Sequence, residues 1–158
     1  YYNPVRHNLA AFLSEAKLAG ADGVLVVDLP YEESSELRFI CNKVGLAHIV
    51  VAAPSTPLTR IHQLSQSGSG FLYYACRKGT TGVRNELPND LVERISEVKQ
   101  HSLLPVAVGF GVSNNHMVQQ IIKVADGCVI GSYFVNAVAN NVDPSQLQRL
   151  AQEVFYVN

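Results

Sequence analysis

Gly23-Val24-Leu25-Val26-Val27, closed by Asp28-Leu29-Pro30, is the stretch on which the fold turns. It runs without the apolar–polar alternation of a half-exposed strand, the pattern of a strand buried on both faces in a parallel sheet. Upstream, Asn8–Leu18 sets Leu9, Phe12, Leu13 and Ala16 at helical period and stops at Gly20. Downstream, Glu32–Val44 predicts a helix ended by Gly45, and His48–Ala53 a second strand. Pro57–Ser65 is helical, Gly70–Ala75 is a strand rich in aromatics, and Asn89–His101 is a helix with Leu91, Ile95 and Val98 on one face. Pro105–Phe110 predicts a strand, His116–Val124 a helix, Gly127–Gly131 the last strand and Ser145–Val154 a closing amphipathic helix. Strand and helix alternate throughout, which is the βα unit of a parallel α/β fold.

Composition sets the limits. The sequence has 158 residues, 47% of them apolar, and a formal net charge of −1. That suits a single domain, 1–158, with a real core. A near-neutral chain with scattered lysines and arginines argues against nucleic acid and against an acidic membrane surface. No apolar run approaches the roughly 20 residues of a membrane span, and no leader-like segment opens the sequence. Cys41, Cys76 and Cys128 form no CxxC pair, and His7, His48, His62, His101 and His116 have no metal-ligand spacing. A reduced, cytoplasmic, metal-free protein is the expectation.

In parallel α/β folds the loops leaving the strand C-termini carry function. Those ends are Asp28-Leu29-Pro30, Ala53-Pro54-Ser55, Cys76–Leu87, Gly109-Phe110-Gly111 and Gly131-Ser132. Glycines there let backbone N–H groups approach an anion, and a following helix start offers partial positive charge. Val108-Gly109-Phe110-Gly111-Val112-Ser113 reads either as such a site or as a tight turn with Ser113 capping a helix. Ile130-Gly131-Ser132-Tyr133 offers the same two readings, with Ser132 opening a short helix. Cys76–Leu87 is longer than the about 2–6 residues of an ordinary βα turn, as a lid or a mobile surface loop would be. Asp28 reads as a general base or as an anchor for backbone N–H groups. Of Tyr73 and Tyr74, strand alternation sends one to the sheet's inner face and one towards the helices.

The order of motifs resembles the tryptophan synthase α subunit family. Tyr1-Tyr2-Asn3-Pro4 and Asp28-Leu29-Pro30 with Glu32-Glu33-Ser34 resemble that family's third and fourth strand ends. Gly79-Thr80-Thr81-Gly82 looks like its mobile sixth loop, and Gly109–Ser113 and Gly127–Ser132 match its seventh and eighth strand ends. The resemblance implies the C-terminal portion, about five βα units, of a TIM (β/α)8 barrel. It implies aldol-type cleavage of indole-3-glycerol phosphate to indole and glyceraldehyde 3-phosphate, a lyase step of tryptophan biosynthesis. By the same resemblance Gly82, Gly111, Gly131 and Ser132 hold the phosphate, and Phe71 and Tyr73 line the indole pocket. Thr81 bonds a catalytic aspartate on loop closure, and Asn3 and Pro30 face a β subunit that carries pyridoxal phosphate in a heterotetramer. This chain itself is expected to hold no cofactor.

The family's catalytic glutamate and aspartate belong to its second strand and the loop after it. This sequence opens at what resembles the end of the third strand, so both are expected to have no counterpart here, as in a piece of a longer chain. Arg84 and a shortened Asn85-Glu86-Leu87-Pro88 depart from the usual lid. They motivate the alternative of a catalytically impaired α-like subunit that binds and activates the β subunit. Among other phosphate barrels, a pentose-phosphate epimerase would need metal-binding histidines at strand ends, and indole-glycerol-phosphate synthase a lysine at one. A flavodoxin-like domain would need an acidic cluster at the first strands.

Overall fold

The computed structural model describes residues 1, 6–75, 90–109, 112 and 114–155. A 3-10 turn at Arg6–Asn8 leads into α1 (Leu9–Leu18), where the Asn8 side chain accepts a hydrogen bond from the Ala11 amide at 3.1 Å and caps the first turn. β1 (Gly23–Leu25), α2 (Ser35–Val44), β2 (Ala47–Ala52) and α3 (Leu58–Ser67) follow. Then come β3 (Leu72–Ala75), α4 (Leu91–His101), β4 (Val106–Gly109), α5 (Asn115–Ile121), β5 (Gly127–Val129), α6 (Ser132–Ala139) and α7 (Pro144–Phe155).

Each periodic run of the sequence forms its expected element, with shifted ends. The first strand stops at Leu25, and Val27 is 79% exposed. The helix expected over Glu32–Val44 is divided: a 3-10 turn spans Tyr31–Glu33 before α2 starts. Ser34 makes the break, because its buried hydroxyl and its amide both donate to the Tyr31 carbonyl, at 2.7 and 3.1 Å. The cap expected from Ser113 is supplied by Asn114, whose side-chain oxygen accepts from the Met117 amide at 3.0 Å.

The five strands are all parallel and lie in the order β1-β2-β3-β4-β5, with registers such as Gly23↔Ala47, Val51↔Tyr73, Tyr73↔Ala107 and Ala107↔Gly127. Right-handed crossovers in an unreversed order lay their helices on one face and curl the sheet as half a barrel. A flavodoxin-like sheet reverses direction at its first strand, so this order removes that alternative.

Alternation sorts the residues. Val50, Ala52, Leu72, Tyr74, Val106 and Val108 point into the helix layer, where they meet Ile61 and Leu64 of α3, Ile95 and Val98 of α4, and Met117, Val118 and Ile121 of α5. A second buried cluster is separate. It joins Leu9 and Leu13 of α1 to Leu37 and Cys41 of α2 and to Leu46. The opposite, inner face carries Phe71, Tyr73, Ala75 and Ala107, all half-buried, where burial on both faces was expected from the apolar runs.

Candidate functional site

The C-terminal ends of the strands converge on one rim of the sheet, where Ala75, Gly109 and Val129 stand side by side in register. Alternation left Tyr73 and Tyr74 open, and packing decides between them. Tyr74 is 1% exposed in the helix-side core, whereas Tyr73 lies on the inner face. There its ring lies over Gly109: a Cβ built on Gly109 would come within 2.7 Å of Tyr73 Cζ and closer still to its hydroxyl. Glycine at this strand end is therefore what admits the phenol. Phe71 comes two positions before Tyr73 along the strand and shares its face.

Beyond β5 the chain enters α6 through Gly131, where an added Cβ would meet nothing within 4 Å. No side chain caps this helix start, and its first turn holds no acidic residue. Ser132 is its first residue. The N–H groups of an uncapped first turn lack intrahelical partners and carry the positive end of the helix dipole. Ser132 and Gly131 therefore face an open region on the same rim as Tyr73, two strands away.

Pro30 is exposed at the far edge, after β1, and starts the Tyr31–Glu33 turn. Together with Asp28, Thr56 and Arg60 it lines a cleft of about 340 Å³ beside β2. Arg60 closes one wall with a two-pronged contact to Glu32, at 2.7 and 3.1 Å, which holds the Glu32 carboxyl below its ordinary range. Asn3, Thr81, Gly82 and Gly111 lie outside the described residues, as do the lid positions Arg77, Lys78 and Arg84. Among the described residues, no group of three or more His, Cys, Asp or Glu is placed to hold a metal ion, and no helix is long and apolar enough to cross a membrane.

Residues 1–157 match the family model of the tryptophan synthase alpha chain. The chain belongs to the tryptophan synthase alpha chain family. It is 42% identical over 143 residues to the tryptophan synthase alpha chain of Opitutus terrae, covering 90% of this chain and 54% of that one. It is 41% identical over 154 residues to that of Coxiella burnetii, covering 98% of this chain and 60% of the relative. A chain in the solved tryptophan synthase α2β2 complex of the hyperthermophile Pyrococcus furiosus superposes with a TM-score of 0.89 at 35% identity, covering 99% of this chain and 65% of that one. The chain thus spans between half and two thirds of the length of these relatives. The α/β half-barrel matches the barrel fold of this family.

Two features were missed by reading the sequence. The Tyr73–Gly109 packing joins residues far apart in sequence, and no local pattern reports it. His48, weighed only as a metal ligand, is 8% exposed on the helix-facing side of β2, beside Val50 and Ala52. A histidine in the inward register of an apolar strand was the available signal. His62 and His116, by contrast, are exposed on their helices, and Cys41 is a buried thiol.

Proposed function

We propose that these residues form the phosphate- and indole-holding side of a carbon–carbon lyase of tryptophan biosynthesis. They would constitute the C-terminal part of a (β/α)8 barrel, folding as one domain over 1–158 in a cytoplasmic enzyme. The reaction is the aldol-type cleavage of indole-3-glycerol phosphate to indole and glyceraldehyde 3-phosphate. The observation that carries this reading is the common rim shared by Tyr73, seated on Gly109, and the uncapped start of α6 at Gly131-Ser132. A flat ring and a dianion are the two ends of the substrate, and that rim offers an aromatic wall and free backbone donors.

Single helix-terminus interactions contribute roughly 0.3–1 kcal/mol, so several donors have to converge on a phosphate. Gly131 and Ser132 supply part of that set, and Gly82 and Gly111 are assigned to the rest. Phe71 and Tyr73 hold the indole. Thr81 bonds the catalytic aspartate on closure, and that aspartate and its partner glutamate belong to sequence outside these residues. The work of this chain is then binding and orientation, which sets the substrate's C–C bond against groups supplied elsewhere. Asn3 and the exposed Pro30 are assigned to face a β subunit in a heterotetramer; the Pyrococcus furiosus relative is solved as an α2β2 complex. Pyridoxal phosphate would be held by that partner.

Steady-state kinetics of the full-length protein test the reading. Ser132→Ala is expected to raise KM for indole-3-glycerol phosphate about tenfold, the worth of one charge-assisted hydrogen bond. It should leave KM for a phosphate-free analogue unchanged. An unaltered KM for the phosphorylated substrate would sink the assignment. Activation of the β subunit without any indole release would favour the impaired alternative.

A further inference from the structure

The helix layer over β2 is interrupted. The α1–α2 cluster ends at Cys41 and Leu46, and the larger cluster begins at Ile61 and Leu64 of α3. Between α2 and α3 the seam is polar. A cleft of about 580 Å³ opens there, lined by Arg38, Asn42, His48, Gln66, Ser67 and Ser69, with no carboxylate in its lining.

His48 forms the floor. It is 8% exposed, and its Nδ1 has no hydrogen-bond partner among the described residues. Buried polar atoms are nearly always paired in folded proteins, so an unpaired one in a cleft asks for a partner. The walls are fixed. The Arg38 guanidinium carbon stands 4.6 Å from the centre of the Tyr31 ring, and the Tyr31 hydroxyl is 2.6 Å from Ser67 Oγ. Arg38 makes no ion pair among the described residues; it gives one N–H to the Tyr31 hydroxyl, a phenol that Ser67 and this bond hold below its ordinary range, and the rest of its planar set of donors is left for a ligand. Ser69 Oγ accepts from the His48 amide at 2.9 Å, and its own proton remains to be given.

We infer that the α2–α3 seam binds the oxyanion head of a small organic molecule, a phosphate or a carboxylate, between Arg38 and the Nδ1–H of His48. Guanidinium, imidazole and hydroxyl donors without a competing acid are the chemistry such a group selects. The cleft is larger than a bare oxyanion, so an organic body would lie against Phe39 and Leu46, which also line it. Titratable neighbours fit the assignment. Burial first, and the Arg38 charge second, hold the His48 imidazole below its ordinary range, while Cys41 on α2 is a thiol pushed up by burial. A bound anion offsets the Arg38 charge and raises the His48 pKa.

The site is independent of the strand-end rim. His48 lies near the start of β2, behind the sheet, whereas Ser132 follows the end of β5. NMR titration of the full-length protein, reading the His48 ring resonances against inorganic phosphate, acetate and chloride at matched ionic strength, tests it. A saturable shift with phosphate or acetate is expected, with the His48 pKa rising and the affinity falling roughly tenfold in Arg38→Gln. The arm that saturates names the head group. Ser132→Ala should leave this titration as it was. No shift, a shift that chloride reproduces, or one unaltered in Arg38→Gln overturns the proposal. Arg38 is only half-buried, so the substitution tests binding even if His48→Gln fails to fold.

Discussion

A methyl group placed on Gly109 would overlap the Tyr73 phenol, so Gly109→Ala has to move that ring or the strand beneath it. Overpacking of this kind typically costs about 1–3 kcal/mol. The loss should largely disappear in the double variant Gly109→Ala/Tyr73→Ala, and a double-mutant cycle on urea midpoints measures the coupling. Additive effects would show that the two residues do not share space. His48 makes a second residue-scale prediction. Its folded pKa lies below the ordinary 6.5, so between the two values the unfolded chain binds a proton that the folded chain refuses. Stability from this group is complete above about pH 6.5 and declines as pH falls towards the lower folded value. Thermal melts between pH 8 and 5 in chloride should show Tm falling, with a flatter profile in His48→Gln. A pH-independent wild-type Tm across that window would refute the assignment. The carboxylates that the fold holds below their ordinary range, Glu32, Asp126 and Asp143, lose their contributions only at lower pH, which keeps the two effects apart.

Helix ends carry the predictions at the scale of elements. Asn114→Ala removes the side-chain acceptor at the start of α5 and should cost about 1 kcal/mol, read as a shift in denaturant midpoint. Gly45 ends α2 at φ 75°, a left-handed conformation that only glycine adopts without a steric penalty, so Gly45→Ala should cost a similar amount, about 1 kcal/mol. A loss below the error of measurement in either variant would mean that the cap is not what holds that end. Elements were the most legible level of this sequence. Continuous runs such as Ile49–Val51 and regular spacings such as Leu91, Ile95 and Val98 report burial directly, because each period belongs to one kind of backbone. Ends were less legible. Ser34 breaks a helix whose composition permits it to continue, through its bonds to the Tyr31 carbonyl, and Asn114 takes the cap that Ser113 was equally suited to fill. The inward choice of Tyr73 over Tyr74 was illegible in the local pattern, and only the family resemblance named Tyr73, since adjacent aromatics satisfy either face until a glycine on the next strand makes room for one.

For the molecule as a whole, the alternating pattern implied a parallel α/β fold without its strand order; the family resemblance implied strands in sequence order, as the structure has them. Strands taken in sequence, with every helix on one side, form a wall of a barrel, and that geometry brings the rim residues of β3, β4 and β5 together. The glycine–hydroxyl segments invited an anion-binding reading because helix starts and small residues have local signatures. The α2–α3 seam did not, because Arg38, His48 and Ser67 come together only after three elements have packed. That division of the core bears on how the fold opens. Leu9, Leu13, Leu37, Cys41 and Leu46 form a buried cluster of their own, joined to the rest through the β1–β2 ladder and the packing of α2 on β2. Helices α1 and α2 with β1 should therefore open as a unit at a lower free energy than β3 and β4. In native-state hydrogen exchange, their slowest amides should share one denaturant-dependent opening step, while the central strands exchange only through global unfolding.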